Sequence, residues 1–419
     1  MKIILVNPNR YKNPPVIPIG LEYLATMLEK NNHTVKIVDL CFSDNTNADI
    51  DNCFNEFDSD IVGITVRNVD PSIYGRNDFF IDEIKNIATY IKNKYKKPII
   101  LGGSGFSIMP DEILECVGAD YGVYGYGENA ILKLLSDIEN RKIDYKIING
   151  FELGIDRGVF HTRCRHFDYK KYFEADGIAG FETQKGCNGD CIFCSEANRK
   201  IIHKNIKNVI YEIKTIADFG YNKFHLCDSE FNLELKFCEN FLNELIKEKI
   251  DIKWTLYIKP VPFNKKFFEL LKKSGANLIT MSVDSYKFTD SKSPYSDENL
   301  KEIVKYTKSY EIKLAIDLLM GFPFETKDSI ENAITFFKKN RPDKVGISYA
   351  IRIYPHTEIE RIVKKNGQLK KYLYGNLSNN YINPAYFKCL SLDDINGFVD
   401  GDEIFQIEGT QKTVNYQRF

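Results

Sequence analysis

Hydrophobic and polar positions along the chain fall into two alternating rhythms. Short, largely apolar runs at Lys2–Val6, Thr34–Val38, Ile61–Val66, Pro98–Leu101 and Tyr121–Tyr124 predict buried strands. Between them lie stretches with apolar residues on one helical face, clearest at Leu21, Leu24, Ala25 and Leu28 from about Gly20. Further helices are predicted at about Phe79–Lys94, near Pro110–Cys116 and from about Glu128 to Ile138. This alternation predicts a doubly wound parallel sheet of Rossmann-like type over residues 1–140. Residues 141–175 sustain neither rhythm and read as a connector.

The alternation resumes over residues 176–355. Strands are predicted at Gly177–Thr183, Lys223–Cys227, Lys253–Ile258, Leu278–Val283, Lys313–Leu319 and Lys344–Ile351. Helical spacing fills the intervals, as at Ile330, Ala333, Ile334 and Phe337. Six strands with crossover helices predict a partial (β/α)6 barrel rather than a closed eight-stranded one. Over residues 356–419 the pattern weakens into a short tail with one helix and much loop, expected to close the barrel's open side. The fold class is α/β throughout.

Composition narrows the function. The 57 basic and 58 acidic residues leave a net charge of −1, which does not favour a phosphate-tracking nucleic-acid surface. No apolar run reaches the length of about 18 residues needed to span a bilayer. The opening MKIILVNPNR lacks a signal-peptide layout, so a cytoplasmic protein is expected. Seven of the ten cysteines are scattered and read as small buried apolar residues. The other three, Cys187, Cys191 and Cys194, form C-x3-C-x2-C directly after a predicted strand.

Three thiolates this close can hold three irons of a cubane cluster and leave the fourth iron open to a substrate or cosubstrate. Gly186 and Gly189 suit the turns of such a loop. A zinc site needs a fourth ligand, which His203 could supply. Structural thiols are the third reading.

The segment from Glu182 to Glu196 resembles the radical S-adenosylmethionine (SAM) superfamily in spacing, in its place after a barrel's first strand, and in the aromatic Phe193 before the last cysteine. The resemblance spans about residues 176–355. It implies a [4Fe-4S] cluster on Cys187, Cys191 and Cys194, with SAM bound at the open iron. Asp228, Ser229 and Glu230 then occupy the place of the segment that holds the methionine amino group. Ser282, Asp284 and Ser285 resemble the stretch that meets the ribose and carboxylate, although that family usually has Gly and Glu there. Lys259 follows the third strand, where it could pair with the methionine carboxylate; a solvated lysine reads equally well. Gly321-Phe-Pro-Phe-Glu325-Thr326 matches a Gly-x-Pro-x-Glu-Thr turn, in which Thr326 would cap the next helix.

Three N-terminal stretches carry a second resemblance: Pro14–Ala25 with His33–Asp39, Ile99–Gly105, and Asp120–Asn129. Their order ahead of the cysteine loop is similar to the cobalamin-binding domain of class B radical SAM methylases. Gly102, Gly103, Ser104, Gly105, Gly125, Gly127 and Glu128 would then border cobalamin at the carboxyl edge of the sheet, where open parallel sheets bind ligands. No Asp-x-His-x-x-Gly stretch is present, which fits the base-off binding of that family. Arg67, on the loop after the third strand, would lie beneath cobalt; a guanidinium offers donors and no lone pair, so it would leave the lower position empty. The competing role for Arg67 is a loop pair with Asp70 or a phosphate. Gly125-Tyr-Gly127-Glu-Asn-Ala130 also matches a dinucleotide fingerprint, but after the last strand rather than the first.

The resemblance implies a cobalamin-dependent radical SAM methyltransferase. Cobalamin takes a methyl from one SAM and passes it to an unactivated carbon, with a 5′-deoxyadenosyl radical from a second SAM abstracting the substrate hydrogen. An external electron donor of flavodoxin or ferredoxin type is implied. Alternatives are ring contraction or cyclisation without methylation, polar methyl transfer without a radical, and tRNA methylthiolation. The last is disfavoured because Cys41, Cys53 and Cys116 lie in unlike contexts and residues 400–419 are not basic. The substrate reads as a small molecule or peptide, with Tyr354, Tyr372, Tyr374, Tyr381 and Tyr386 as candidate pocket residues.

Overall fold

The computed structural model describes residues 1–76, 78–290, 293–379 and 383–409. It divides into two compact units. The first comprises Met1–Pro71, Asp78–Phe181 and Tyr211–Tyr221; the second comprises Ser72–Asn77, Glu182–Ile210 and Asn222–Phe419.

The first unit is built on a six-stranded sheet of β1 (Lys2–Asn7), β2 (Thr34–Asp39), β3 (Ile61–Thr65), β4 (Ile99–Gly102), β5 (Tyr121–Tyr124) and β6 (Ile147–Asn149). Its order is β2-β1-β3-β4-β5-β6, with every pair parallel. Ile3 to Val6, Ile61, Val62 and Ile99 to Leu101 are buried, as expected of strands covered on both faces. Helices Ile19–Lys30, Ile81–Tyr95, Pro110–Val117 and Gly127–Glu139 match the sequence reading. Helix Thr46–Glu56 was not foreseen: only Ile50 and Cys53 are buried on it, and its start is set by the Asn45 side chain accepting from Ala48 N.

Residues 141–175, read as a connector, belong to the first unit, and β6 extends its sheet. A buried charge cluster fastens them. Arg163 Nε donates to Glu22 (2.7 Å) and its Nη1 to Glu212 (3.2 Å). The Tyr169 hydroxyl donates to Glu22 (2.7 Å), Tyr23 donates to Glu212 (2.9 Å), and His161 meets Glu212 at 3.1 Å. Two buried carboxylates are tolerable here because one guanidinium bridges them and phenols complete their hydrogen bonds.

The second unit follows β7 (Ala179–Phe181) and a short antiparallel pair, β8 (Gln184–Lys185) and β9 (Ile202–His203). Its main strands are β10 (Lys223–Leu226), β11 (Lys253–Ile258), β12 (Ala276–Asp284), β13 (Lys313–Leu319) and β14 (Lys344–Ser348). Three short strands come next, β15 (Ile351–Ile353), β16 (Leu373–Tyr374) and β17 (Ala385–Phe387), and then β18 (Phe405–Ile407). The large sheet runs β18-β14-β13-β12-β11-β10-β7. From β10 to β18 the pairs are parallel, which gives the partial barrel. The tail supplies its seventh strand, β18.

The tail also holds an antiparallel sheet in the order β15-β17-β16. Ile351 pairs with Phe387 and Leu373 with Phe387, while Arg352 and Tyr374 both oppose Tyr386. One face is therefore apolar, and it joins Phe322, Ile359 and Val363 in a core against which Ile192 and Phe193 pack. The other face carries Arg352, Tyr374 and Tyr386. Lys388 lies 4.4 Å from the Tyr74 ring centroid and 4.5 Å from that of Tyr374.

Candidate active site

The β8–β9 ladder pairs Gln184 with His203 and Lys185 with Ile202, closing the cysteine loop at its neck. Within the loop Arg199 N donates to Cys187 O (2.8 Å), Asn198 N to Gly189 O (2.7 Å) and Cys194 N to Cys191 O (3.1 Å). Gly189 N points at Cys187 Sγ and Glu196 N at Cys194 Sγ, each at 3.4 Å. Burial raises the Cys194 thiol, and the Glu196 N–H opposes that rise. Gly189 is required by crowding: a Cβ there would lie 2.5 Å from Lys259 Nζ and 3.3 Å from Cys187 Sγ. The missing side chain lets an ammonium stand beside the first thiol.

All three cysteines are free and half-buried. His203, the candidate fourth zinc ligand, meets Glu234 at 3.0 Å and stacks on Phe237 at 3.8 Å. Among the described residues no three His, Cys, Asp or Glu side chains surround a single ion position. Three thiols spread along one loop suit separate corners of a cubane, so this donor set fits a [4Fe-4S] cluster.

Carboxylates gather at the carboxyl ends of the neighbouring strands. After β10, Asp228 accepts from Thr183 N (2.8 Å), Gln184 N (3.2 Å) and the Thr183 hydroxyl. Burial pushes its carboxyl up to about 7 despite these donors, with Glu182 adding to the rise. Asp228 thus ties the start of the cysteine loop to β10. Ser229 is exposed. Burial pushes the Glu230 carboxyl up to about 8, opposed by Lys259 and assisted by Asp317. Glu230 Oε2 is buried with no hydrogen-bond partner among the described residues.

Lys259 follows β11 on a loop clamped by Asn232, whose amide donates to Lys259 O (2.9 Å) and Pro262 O (2.8 Å) and accepts from Lys259 N (2.8 Å). At the end of β12, Ser282 is half-buried. Burial raises Asp284 to about 6, against the pull of Lys287. The Ser285 hydroxyl donates to Glu325, whose other oxygen accepts from Gly321 N at 2.5 Å. This pins the Gly-x-Pro-x-Glu-Thr turn, and Thr326 caps helix Lys327–Asn340 through Ser329 N. Phe193 lies 5.9 Å from Phe322, ring to ring, so the aromatic residue of the cysteine motif anchors the loop in the core.

In the first unit, the glycine segments lie at the carboxyl ends of β4 and β5. Val66 N donates to Gly102 O (2.7 Å) and Gly105 N to Val66 O (2.9 Å). Ser104 donates to Arg67 O at 2.8 Å. Gly103 has φ +104°, and a Cβ there would lie 2.6 Å from Val66 O; one on Gly105 would lie 2.9 Å from Arg67 C. Ser107 joins the two glycine loops, donating to Gly103 O (2.9 Å) and accepting from Gly125 N (2.9 Å). Gly127 opens helix Gly127–Glu139 against Leu24, 3.1 Å from its would-be Cβ. Glu128 is buried and the Arg67 side chain is exposed. Glycine backbone at the carboxyl edge of a parallel sheet fits a corrin ring or its nucleotide tail.

The structure thus brings Cys187, Cys191, Cys194, Glu230, Lys259 and Asp284 together in one unit. It brings Arg67 and the 102–105 segment together in the other. Sequence reasoning missed Gln184, Asn232, Tyr74 and Lys388, whose roles depend on residues far along the chain. Tyr354 shares a hydrogen bond with Ser72 (2.6 Å), Tyr386 donates to Ile73 O (3.2 Å), and Tyr372 packs on Phe387. Tyr381 lies outside the described residues.

Residues 13–135 match the family described as B12 binding domain, and residues 181–337 match the radical SAM superfamily. The chain is 24% identical to a tryptophan 2-C-methyltransferase of Streptomyces laurentii, over 93% of this chain and 78% of that protein. Its fold is similar to TsrM, a radical SAM methyltransferase from Kitasatospora setae solved with cobalamin and a [4Fe-4S] cluster. The TM-score is 0.88 at 23% identity, covering 99% of this chain and 93% of that one. The cobalamin-dependent SAM radical enzyme OxsB gives a TM-score of 0.74 at 15% identity, over 95% of this chain and 65% of that one.

Proposed function

With a B12-binding domain joined to a radical SAM domain, the chain belongs to the cobalamin-binding radical SAM methyltransferase family, and we propose that it moves a methyl group from SAM to an unactivated carbon of a small molecule. The observation that carries this reading is the cysteine loop, clamped at its neck and flanked by Lys259 and Glu230. When bound, the [4Fe-4S] cluster supplies electrons and an open iron, and cobalamin supplies a methyl carrier.

In this reading Cys187, Cys191 and Cys194 hold the cluster. Glu230 and Ser229 face the amino end of SAM, Lys259 its carboxylate, and Ser282 and Asp284 its ribose. Asp228 acts through position, since its oxygens are occupied within the fold. Phe193 acts as a core anchor. Gly102, Gly103, Ser104, Gly105, Gly125, Gly127 and Glu128 border cobalamin. The organisation into a cobalamin domain near 1–140, a radical SAM core near 176–355 and a closing segment near 356–419 is part of the same reading. So is an external flavodoxin- or ferredoxin-type reductant in a cytoplasm that keeps the thiols reduced. Among the described residues no helix is long and apolar enough to cross a membrane.

One observation favours the polar variant of the reaction. Arg67 is an exposed cation on the loop bonded to the 102–105 segment, and it has no lone pair to coordinate a metal. With cobalamin bound against this segment, a cation here would disfavour oxidation of the metal and would favour departure of the methyl as a cation.

The test is anaerobic reconstitution with iron, sulfide and hydroxocobalamin, then turnover with methyl-deuterated SAM and tryptophan as the first probe. Labelled methyl in a product supports methyl transfer, and its appearance without 5′-deoxyadenosine supports the polar variant. Binding of iron without cobalt overturns the methyltransferase reading.

A further inference from the structure

A separate group of polar side chains gathers at the carboxyl end of β14. Tyr349 follows that strand, Tyr374 lies on β16, Tyr386 lies on β17, and Lys388 comes directly after β17. Tyr74 arrives from far earlier in the chain, in the 72–77 segment of this same unit. Its ring is the hub, meeting Tyr349 at 5.7 Å, Tyr374 at 5.5 Å and Tyr386 at 5.5 Å, each edge to face. Lys388 Nζ stands 4.4 Å from the Tyr74 centroid, 4.5 Å from that of Tyr374 and 5.6 Å from that of Tyr349. The root of this lysine is fixed: its N donates to Tyr372 O (3.0 Å), Phe387 before it is buried in the core, and the Cys389 thiol after it donates to Phe322 O (3.3 Å).

The Lys388 ammonium is half-buried, and among the described residues no carboxylate pairs with it. Burial raises the Tyr349 hydroxyl, with Tyr74 and Glu408 adding to the rise, yet Glu408 itself accepts from the Ser348 hydroxyl. The hydroxyls of Tyr74, Tyr349 and Tyr374 also have no hydrogen-bond partner among the described residues. Ring faces attract an ammonium but leave its three N–H donors without an oxygen. The group is therefore rich in donors and lacks an acceptor. Arg352, the other cation on this face of the tail sheet, is buried and donates to Ile353 O (2.6 Å), so one positive charge is on offer. A carboxylate matches a single charge and several donors; a phosphate monoester would keep a second negative charge unmatched. We propose that Lys388, with the hydroxyls of Tyr74, Tyr349 and Tyr374, binds the carboxylate of the methyl-accepting substrate, whose apolar body lies against the rings. The end of a barrel strand at the carboxyl side is where such folds hold substrate, and aromatic walls with few polar groups suit a small ligand. The carboxylate site rests on the geometry alone, and its assignment to the methyl acceptor rests on the methyltransferase reading.

The experiment uses the reconstituted holoenzyme and measures dissociation constants by calorimetry for phenylacetate, its amide phenylacetamide, phenyl phosphate and SAM. Iron content and melting temperature are recorded for each variant. The wild type is expected to bind phenylacetate about tenfold more tightly than phenylacetamide. Lys388→Met should weaken phenylacetate by about tenfold and phenylacetamide by less than about twofold, as for one lost hydrogen bond between charged groups, with SAM unchanged. Lys388→Arg keeps the charge and should retain most of the affinity. Tyr374→Phe keeps the ring, loses one donor and should weaken phenylacetate by about threefold. Absence of a preference for phenylacetate over its amide in the wild type, equal weakening of both in Lys388→Met, or tighter binding of phenyl phosphate than of phenylacetate overturns the carboxylate site. Weaker SAM binding in Lys388→Met, or displacement of SAM by phenylacetate, assigns the site to the cosubstrate and overturns the acceptor assignment. Failure of the wild type to load cobalt or to bind SAM overturns the methyltransferase reading instead, and the phenylacetate result stands apart from it.

Discussion

The two carboxyl-edge surfaces of this chain are made of different material. The edge of the first sheet is backbone: Gly103 and Gly105 let strand-end loops close to distances that any Cβ would block. The edge of the second is carboxyl: Asp228, Glu230, Asp284 and Glu325 all have carboxyls lifted by burial, so each holds its proton more tightly than a surface carboxyl. A wide planar ligand is recognised by shape and needs side chains out of its way. A zwitterionic one needs ionisable groups whose charge its own charges can draw out. Each edge should therefore fail independently of the other, and in its own manner.

The largest effect should come from Cys191→Ala. Loss of one thiolate is expected to reduce bound iron to near zero after reconstitution, while cobalt stays near wild type by metal analysis. Parallel loss of both metals would break the independence of the edges. Next, Gly103→Val places a β-branched residue at φ +104° with its Cβ against Val66 O. Cobalamin affinity should fall by more than about tenfold, as for a strain of about 1–2 kcal/mol or more, with iron loading preserved.

Glu230→Gln tests the carboxyl edge directly. It replaces an acceptor without a hydrogen-bond partner among the described residues by an amide that cannot ionise against a bound cation, so SAM should bind about tenfold more weakly in an equilibrium dialysis assay while protein stability is unchanged or improved. The smallest effect concerns Asp228. Its carboxyl titrates near 7 in the folded chain against 3.8 as a model group, so the folded state holds the proton more tightly than the unfolded one. Its contribution to stability is full below about pH 4 and is lost as pH rises towards 7, at no more than about 1.4 kcal/mol per pH unit. Asp228→Asn should flatten that part of the stability–pH curve of the apoprotein in chemical denaturation. An unchanged slope would remove Asp228 from the set of strained carboxylates.

The same contrast governs what could be read from the sequence. The parallel strands were legible because a strand buried on both faces is a continuous apolar run, as in Ile3–Val6 and Leu314–Ile316. The cysteine loop was legible because its three thiols lie within eight residues of sequence. Helix Thr46–Glu56 was not, having too few apolar positions to show a face. Nor were β15, β16, β17 and β18, each only two or three residues long. Their pairing depends on partners such as Phe387 for Ile351, brought together by the fold alone. Gln184 looks like any polar residue ahead of a loop; what sets it apart is a bond to Glu230 far along the chain.

The two-faced sheet of the tail has a consequence for biosynthesis. Its apolar face is the surface against which Ile192 and Phe193 pack, and Ile359 N donates to Ile192 O at 2.9 Å. As the ribosome delivers the chain, the three cysteines emerge long before that surface exists, and nearly the whole barrel must follow before Phe387 arrives. The nascent loop therefore spends most of translation unsupported on one side. Completion of the loop's surroundings becomes an event of the finished polypeptide, and a chain interrupted ahead of β17 would carry all three cysteines yet lack the surface that holds their loop in shape.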